Sequence, residues 1–318
     1  MAHTTTEVSS AGAEFPRRSL EAPSKRYGEK VIKVLLGLCA ALSVAITVGI
    51  VLSLLFGSID FFREISIVDF LTGTNWSPGF TDGGYGVLPL VVGTLNIVFW
   101  AMVVAIPVGL LSAIYLAEYA PQRVRKVIKP MLEVLEGIPT VAFGLFALIF
   151  LRPLAEQLFP FLEWRTPFSV GVAGVAVGLL IVPLVASVSD DAMRSVPSGL
   201  REGAYALGAS KFKVAIRVVF PAAISGIVAG FVLAVSRAIG ETMVVLMAAG
   251  ASPNITFDPT NSVQTMTAYI GQTASGDQST GTINYYTMFA VGALLFVMTL
   301  VMNMLAIRLV RRFREVYE

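Results

Sequence analysis

The sequence predicts an all-α membrane protein with six transmembrane helices and both termini in the cytoplasm, and three observations lead to that prediction. Only 14% of the 318 residues are charged and 55% are hydrophobic, whereas soluble globular chains carry about 25% charged residues. The hydrophobic residues form long, nearly charge-free runs, and roughly 20 such residues cross a bilayer as a helix. Basic residues concentrate in alternate connections between these runs, which is the pattern of cytoplasmic loops.

The composition also argues against catalysis by this chain. It has one cysteine, Cys39, and one histidine, His3. A single cysteine cannot form an internal disulfide, and neither residue has the clustered partners that a metal site needs. Metal catalysis and catalysis by a Ser–His or Cys–His pair therefore have little support. We expect no catalytic residue, no metal site and no cofactor in this chain.

The first part of the chain holds a tail and two spans. Residues 1–30 are polar and irregular, and we expect a disordered cytoplasmic tail. Residues 31–60 form the first transmembrane helix, because their hydrophobic run is too long and too far from the start for a signal peptide. Residues 61–86 form an extracytoplasmic loop rich in turn residues. A charge-free run at 83–117 is the second span, entered through a short re-entrant or interfacial piece.

The core, residues 87–307, is predicted to contain spans two to six. A basic loop at 118–130 precedes the third span, 131–151. That span begins with Glu133, Glu136 and a helix-breaking Gly-Ile-Pro-Thr sequence, so its first turns are expected outside the lipid. The later segments are a short loop (152–165), the fourth span (166–189), a polar loop (190–220), the fifth span (221–250), a polar outer loop (251–286), the sixth span within 278–307 and a basic cytoplasmic end (308–318).

Proline and glycine spacing predicts details inside the spans. Pro107 is expected to kink the second span, which neighbouring helices can tolerate. Two pairs of glycines four residues apart, Gly174 with Gly178 and Gly226 with Gly230, let helix backbones approach closely.

The charge distribution orients the chain. Of the 23 basic residues, 19 lie in 1–33, in 119–130, in 190–220 and at the end of the chain. The predicted outer connections hold three, Arg63, Arg152 and Arg165, and Arg237 lies inside a span. Because cytoplasmic loops are enriched in Lys and Arg, both termini are predicted to be cytoplasmic.

The polar loop at 190–220 is predicted to form two short helices. Ser198 is expected to cap the first helix, which ends near Gly208. Ser210 is expected to cap the second helix, which Pro221 separates from the fifth span. Small residues on this loop suit docking into a groove on another protein. From the residues alone, an ordinary amphipathic surface loop remains an alternative.

The fifth span carries two charges, Arg237 and Glu241, one helical turn apart and therefore expected on one face. A charge at membrane depth is costly and is a functional candidate by default. The guanidinium suits an oxyanion. The carboxylate would accept a hydrogen bond from the P–OH group of monohydrogen phosphate, which sulfate lacks, so the pair would discriminate between the two anions. A buried ion pair that only fixes helix packing is the alternative.

The polar loop resembles the EAA signature of bacterial ABC importer permeases. The matching residues are Glu202–Gly203–Ala204, then Gly208, then Val218–Val219–Phe220–Pro221, with correct spacing and three apolar or small replacements. Further motifs are similar to PstC-type permeases of the phosphate importer family. They are Asn-Trp-Ser-Pro at 75–78, and the runs at 88–95, 106–121, 136–144 and 236–243.

This resemblance implies a type I ABC importer permease with the MetI-like fold in the bacterial plasma membrane. It implies that Glu202, Gly203, Ala204 and Gly208 couple the chain to cytoplasmic ATPases, and that Arg237 and Glu241 lie on the phosphate path. The implied partners are a second permease of PstA type, two PstB-type ATPases that bind ATP and an extracytoplasmic PstS-type phosphate-binding protein. No nucleic-acid partner is expected.

Other interpretations remain open on the sequence. The chain could be an ABC permease for a different oxyanion, a PstA-type sister subunit or, with less support, an ATP-independent anion transporter. A membrane enzyme would need clustered acids or histidines. The only adjacent acidic pair near the end of a span, Asp190 and Asp191, is interpreted as a solvated helix terminus. A glycine-spaced stretch at 276–282 lacks the lysine of a phosphate-binding loop.

Overall fold

Helices make up nearly all the regular structure of the computed structural model, which describes residues 27–80, 83–276 and 278–313. One antiparallel bridge, Trp76 to Tyr85, is the exception within these ranges. The helical segments are α1 (Tyr27–Glu64), α2 (Ile67–Thr72), α3 (Leu88–Ile114), α4 (Gln122–Glu136), α5 (Thr140–Phe146), α6 (Arg152–Leu158), α7 (Val170–Arg194), α8 (Ser198–Ala206), α9 (Lys211–Val214), α10 (Phe220–Ala222), α11 (Ile224–Ile239), α12 (Met243–Ala248), α13 (Met266–Ser275) and α14 (Ile283–Phe313).

Three single π-helical turns extend or join these segments. Tyr115–Tyr119 continues α3, Ala147–Leu151 joins α5 to α6, and Ala215–Val219 joins α9 to α10. α3 runs through Pro107 without a break.

Five continuous helices are long and apolar enough to cross a membrane, within the part of the chain that the structure describes. They are Glu29–Glu64, Leu88–Tyr119, Thr140–Leu158, Val170–Arg194 and Ile283–Arg308. A sixth candidate is the pair Lys211–Ala222 and Ile224–Ile239, which is bent by 71°. Counting this pair as one span confirms the prediction of an all-α protein with six spans.

The chain divides into two units, with the boundary inside α1. In the first unit, the described side chains of residues 29–50 are exposed, as in a helix surrounded by lipid. The predicted disordered tail lies mostly outside the described residues, and α1 already begins at Tyr27. In the second unit, which begins at Val51, Phe61 is fully buried and Ser58 Oγ donates a hydrogen bond to the Phe289 carbonyl at 3.0 Å.

Small residues allow α7 to form the centre of the second unit. A Cβ on Gly178 would lie 2.7 Å from the Ala101 carbonyl oxygen of α3, and Gly174 is equally tight against Trp100. α11 packs on the same helix, where Gly230 faces Val188 and Gly226 faces Ala192. Both glycine pairs therefore act as predicted, because a side chain at these positions would separate the backbones.

Several segments predicted to be loops are partly helical. The basic loop at 118–130 is mostly α4, whose apolar and charged residues alternate with helical period. The outer loop at 251–286 contains α13, which is capped by Thr265 and buried at its first turn. The loops at 61–86 and 152–165 contain α2 and α6. These segments were predicted to be loops because they contain many turn-forming and charged residues, and their helical patterns are short.

The third span begins later than its predicted first residue. α4 ends at Glu136, and Gly137, Ile138 and Pro139 separate it from α5, which starts at Thr140. The prediction that the turns containing Glu133 and Glu136 are separate from the span agrees with this break. The reason is Pro139, which has no N–H for a continuing helix and restricts the residue before it.

Candidate functional site

The polar loop contains the two predicted helices, and one of the two predicted caps is correct. Gly208 ends the first helix with φ 77°, a conformation that favours glycine. Ser210 accepts a hydrogen bond from the Lys213 N–H at 3.5 Å and caps the second helix, as predicted. Ser198 does not cap α8. Pro197 occupies the cap position and Ser198 is already helical, without a side-chain cap.

The second helix of the loop does not stop before Pro221. It continues through a π-helical turn and α10 to Ala222, and the chain bends by 71° immediately afterwards. The wider turn precedes the proline and accommodates the missing N–H, so the bend falls after Pro221. The polar loop is therefore joined to α11 by a helical arm with a sharp corner.

The tip of the loop exposes large apolar side chains beside small residues and the carboxylate of Glu202. Leu207 is 90% exposed and Phe212 is 66% exposed. Glu202, Gly203 and Gly208 are also exposed, and a Cβ on either glycine would meet no atom within 4 Å. Ala204 is half-buried and packs against the apolar cluster beneath. Exposed large apolar side chains beside small residues are typical of a surface that another protein covers.

Arg201 fixes this tip to the rest of the protein. Its guanidinium donates to Glu118 Oε1 at 3.0 and 3.2 Å, and to the carbonyls of Met193 and Val196 at 2.7 Å. Glu118 belongs to the π-helical turn that continues α3, and Met193 is at the end of α7. Arg201 therefore connects α8 to the ends of two membrane-spanning helices. Nothing in the sequence marks these contacts of Arg201, although it is adjacent to Glu202.

Asp190 is not part of a solvated helix terminus. Its side chain is fully buried, and its Oδ2 lies 2.6 Å from Arg125 Nη2 and 3.7 Å from Lys129 Nζ. Arg194 Nε lies 3.5 Å from Oδ1. The neighbouring Asp191 is exposed and pairs with Lys129. The prediction for Asp190 was wrong because residues 122–136 form the helix α4, which brings Arg125 and Lys129 next to Asp190.

Arg237 and Glu241 do not share one helical face. α11 ends at Ile239, and Gly240 begins a break before α12. The Glu241 carboxylate accepts hydrogen bonds from the Thr242 and Val244 N–H groups at 3.1 and 3.2 Å, so it caps the start of α12. The prediction of one shared face required a continuous helix from Arg237 to Glu241, and the helix ends between them.

Arg237 pairs with a different carboxylate. Its Nη1 lies 3.2 Å from Glu136 Oε1, and each side chain is about one third exposed (35% and 34%). This is the one ion pair of Arg237 among the described residues. Glu136 was part of the EGIPTVAFG motif in the sequence, but nothing in its spacing indicated a contact across 101 residues.

The loop at 75–80 and α13 enclose a polar cavity of 510 Å³ in the second unit. Trp76 and Tyr269 form one wall, with their rings edge to face at 4.9 Å. Burial raises the pKa of the Tyr269 phenol above its usual value, and the phenol forms a hydrogen bond with Thr287 Oγ1 at 2.5 Å. The described lining residues are uncharged.

No cluster of His, Cys, Asp and Glu that could bind a metal ion occurs among the described residues. The notable polar groups of the second unit are therefore the projecting loop tip, the Asp190 cluster and the broken helices around Arg237.

Comparisons with known proteins agree with this architecture. A family described as "Binding-protein-dependent transport system inner membrane component" matches residues 105–315. The "Phosphate transport system permease protein PstC" of Pasteurella multocida is 30% identical, over 94% of this chain and 98% of that protein. The "Probable ABC transporter permease protein YqgH" of Bacillus subtilis is 34% identical, over 82% and 84% of the two chains.

A solved structure gives the same fold. A chain from a bacterial ABC transporter involved in the import of alginate superimposes with a TM-score of 0.62, at 16% identity, over 92% of this chain and all of that one. The protein is thus a multi-pass membrane permease that belongs to the family of binding-protein-dependent transport system inner membrane components, among its PstC-type members.

Proposed function

We propose that this chain is a transmembrane permease subunit of an ATP-driven importer of inorganic phosphate in the bacterial plasma membrane. The observation that carries the proposal is the match, over nearly the whole of both chains, to a permease named for phosphate transport. The fold supports a transport role, because broken helices and charged side chains within spans are common in solute paths. The chain forms that path together with a second permease of PstA type.

The loop tip is proposed to dock on the cytoplasmic ATPases. Glu202, Gly203 and Gly208 are exposed next to Leu207, and Ala204 lies beneath them. Small residues let a partner approach the backbone, and Leu207 offers an apolar anchor. Two PstB-type subunits would bind and hydrolyse ATP. This chain would then need no cofactor and would break no bond.

Arg237 and Glu241 are proposed to line the phosphate path at the break between α11 and α12. Arg237 is partly exposed and offers a planar set of N–H donors to an oxyanion. Glu241 caps α12 through one carboxylate oxygen, Oε1. The other oxygen is available to accept a hydrogen bond from the P–OH group of monohydrogen phosphate, and sulfate has no such donor.

Transport would proceed by alternating access. Closure of the ATPases would move α8, and Arg201 would transmit the movement to α3 and α7. α11 packs on α7 and would move with it, which would open the Arg237 region outward. A PstS-type binding protein would then deliver phosphate from the outer side.

The test is reconstitution of this chain with its partner permease, ATPases and binding protein in liposomes. We expect uptake of radiolabelled phosphate that requires ATP and is not inhibited by excess sulfate. Arg237→Gln is expected to lower uptake at least tenfold with normal assembly, and Glu202→Lys to abolish phosphate-stimulated ATP hydrolysis. Uptake without ATP would indicate an ATP-independent transporter, and uptake of another oxyanion instead would refute the assignment to phosphate.

A further inference from the structure

We propose that Glu136 is the internal counter-ion of Arg237, a carboxylate that the transported oxyanion must displace. The exchange frees one end of α4 from α11. This inference rests on the proposed function, because it takes phosphate as the oxyanion that reaches Arg237.

The geometry of the pair is that of an exchangeable contact. A single distance of 3.2 Å joins Arg237 Nη1 to Glu136 Oε1, so the guanidinium is held by one oxygen instead of a two-oxygen fork. The remaining guanidinium N–H groups of Arg237 have no hydrogen-bond partner among the described residues. A guanidinium has five such donors. Each partner is about one third exposed, so the rest of this chain does not enclose the pair.

Both residues lie next to breaks in their helices. Glu136 is the last residue of α4, directly before Gly137, and Arg237 is in the last turn of α11, before Gly240. The helices that follow the two breaks, α5 and α12, pack tightly: a Cβ on Gly144 would lie 2.9 Å from Met247 Sδ. The ion pair therefore joins α4 to α11. The helices that follow them, α5 and α12, are in close contact with each other, and this contact does not depend on the ion pair.

The opposite end of α4 is held independently. Arg125 and Lys129 bind the buried Asp190 of α7, two to three turns before Glu136. Loss of the Glu136 contact would therefore release the end of α4 near Arg237 while the helix stays attached to α7. Because α7 also receives the Arg201 contacts of the loop tip, α4 is attached to the element that the ATPases move.

Glu136 and the transported phosphate compete for Arg237, because both are negatively charged. Without solute, Glu136 supplies an opposite charge to the partly buried guanidinium of Arg237. When phosphate binds, the carboxylate and the phosphate are like charges on one cation and repel each other. Binding of one partner weakens binding of the other by the same factor, because the coupling is reciprocal. Glu136 then lowers the affinity for phosphate and promotes its release.

The experiment measures binding of inorganic [32P]phosphate to the complete permease–ATPase complex in nanodiscs, without the binding protein. We expect Glu136→Gln to bind phosphate about fivefold tighter or more. Glu136→Asp keeps the charge and is expected to stay near the wild-type affinity. Glu133→Gln is the matched control, because it removes an exposed carboxylate one turn earlier on the same helix. Arg237→Gln should abolish binding, and adding Glu136→Gln to it should restore none.

Two results distinguish the possible failures. If Glu136→Gln binds phosphate no tighter than wild type while Arg237→Gln loses binding, Glu136 is only a packing contact and the counter-ion proposal is wrong. If wild type and Arg237→Gln bind phosphate equally, Arg237 is not on the phosphate path, and the proposed path fails together with this inference. Thermal unfolding without phosphate verifies that each variant is folded, since a lost packing contact lowers the unfolding temperature without raising affinity.

Discussion

Asp190 shows at the scale of one residue how a charge is kept in the interior. Its carboxylate is fully buried, and three cations from α4 and α7 surround it. A buried charge is tolerated when it is paired, and removing one partner leaves the others uncompensated. Asp190 therefore joins α4 to α7 and is more than a helix end.

Replacing Asp190 by Asn is expected to destabilise the protein by about 2–4 kcal/mol, because Arg125 and Lys129 lose their counter-charge in a partly buried site. Asp191→Asn is the matched control. Asp191 is 60% exposed, and an exposed pair contributes about 0–1 kcal/mol. Thermal unfolding of the purified protein in one detergent measures both. Equal losses for the two variants would contradict a special role of Asp190.

The candidate functional residues divide into those that the sequence could identify and those that it could not. Arg237 was conspicuous because a lone charge in an apolar run is costly. Glu136 and Arg201 were not, because their importance comes from contacts 101 and 83 residues away in the chain. Glu241 was identified as a candidate, but it was predicted to lie on the same helical face as Arg237. That position required an unbroken helix, and α11 ends before Gly240.

At the scale of helices, α7 is central because its glycines permit backbone contact. A Cβ on Gly178 would approach the Ala101 carbonyl oxygen to 2.7 Å, and a backbone atom cannot rotate away. Gly49, in α1, has nothing within 4 Å of the same position. The two glycines thus differ in packing although both are helical.

Gly178→Ala is expected to destabilise the protein by about 1–2 kcal/mol, since overpacking costs more than the gain in helix propensity. Gly49→Ala should be neutral or slightly stabilising, because it gains propensity without a clash. The measurement is the unfolding temperature of each variant, together with its yield in the membrane. An unchanged unfolding temperature for Gly178→Ala would contradict the close approach of α3 and α7.

The long membrane-spanning helices could be predicted from the sequence better than the short helices. Long apolar runs identified the five continuous spans, because a 20-residue hydrophobic stretch has few alternatives. The predicted fifth span, 221–250, is instead divided between α11 and α12. α4 and α13 were missed as helices since short amphipathic patterns next to Pro and Gly also suit loops. The corner between α10 and α11 was placed at Pro221, although the preceding π-helical turn moved it to Ala223.

At the scale of the whole molecule, ion pairing strengthens the charge asymmetry that predicts the orientation. The three arginines of the predicted outer connections each pair with a carboxylate close in sequence: Arg63 with Asp60, Arg152 with Glu156, and Arg165 with Glu163. Arg152 is also buried, with its guanidinium 4.3 Å from the centre of the Trp164 ring. The outer side therefore offers little unpaired positive charge. Within 190–220, Arg194 and Arg201 are also paired, but Lys211, Lys213 and Arg217 are exposed and have no ion pair among the described residues, which favours a cytoplasmic loop.

This asymmetry predicts that the termini and the loop tip are cytoplasmic, and single cysteines can test it. In a Cys39→Ser background, a membrane-impermeant thiol reagent applied to intact cells should label Asn254→Cys, which is exposed in the predicted outer loop. Lys213→Cys, beside the loop tip, and Thr5→Cys, in the tail, should react only after the membrane is permeabilised. The reverse labelling would invert the topology. It would also place the Glu202 surface where no ATPase can reach it, so the coupling proposal depends on this result.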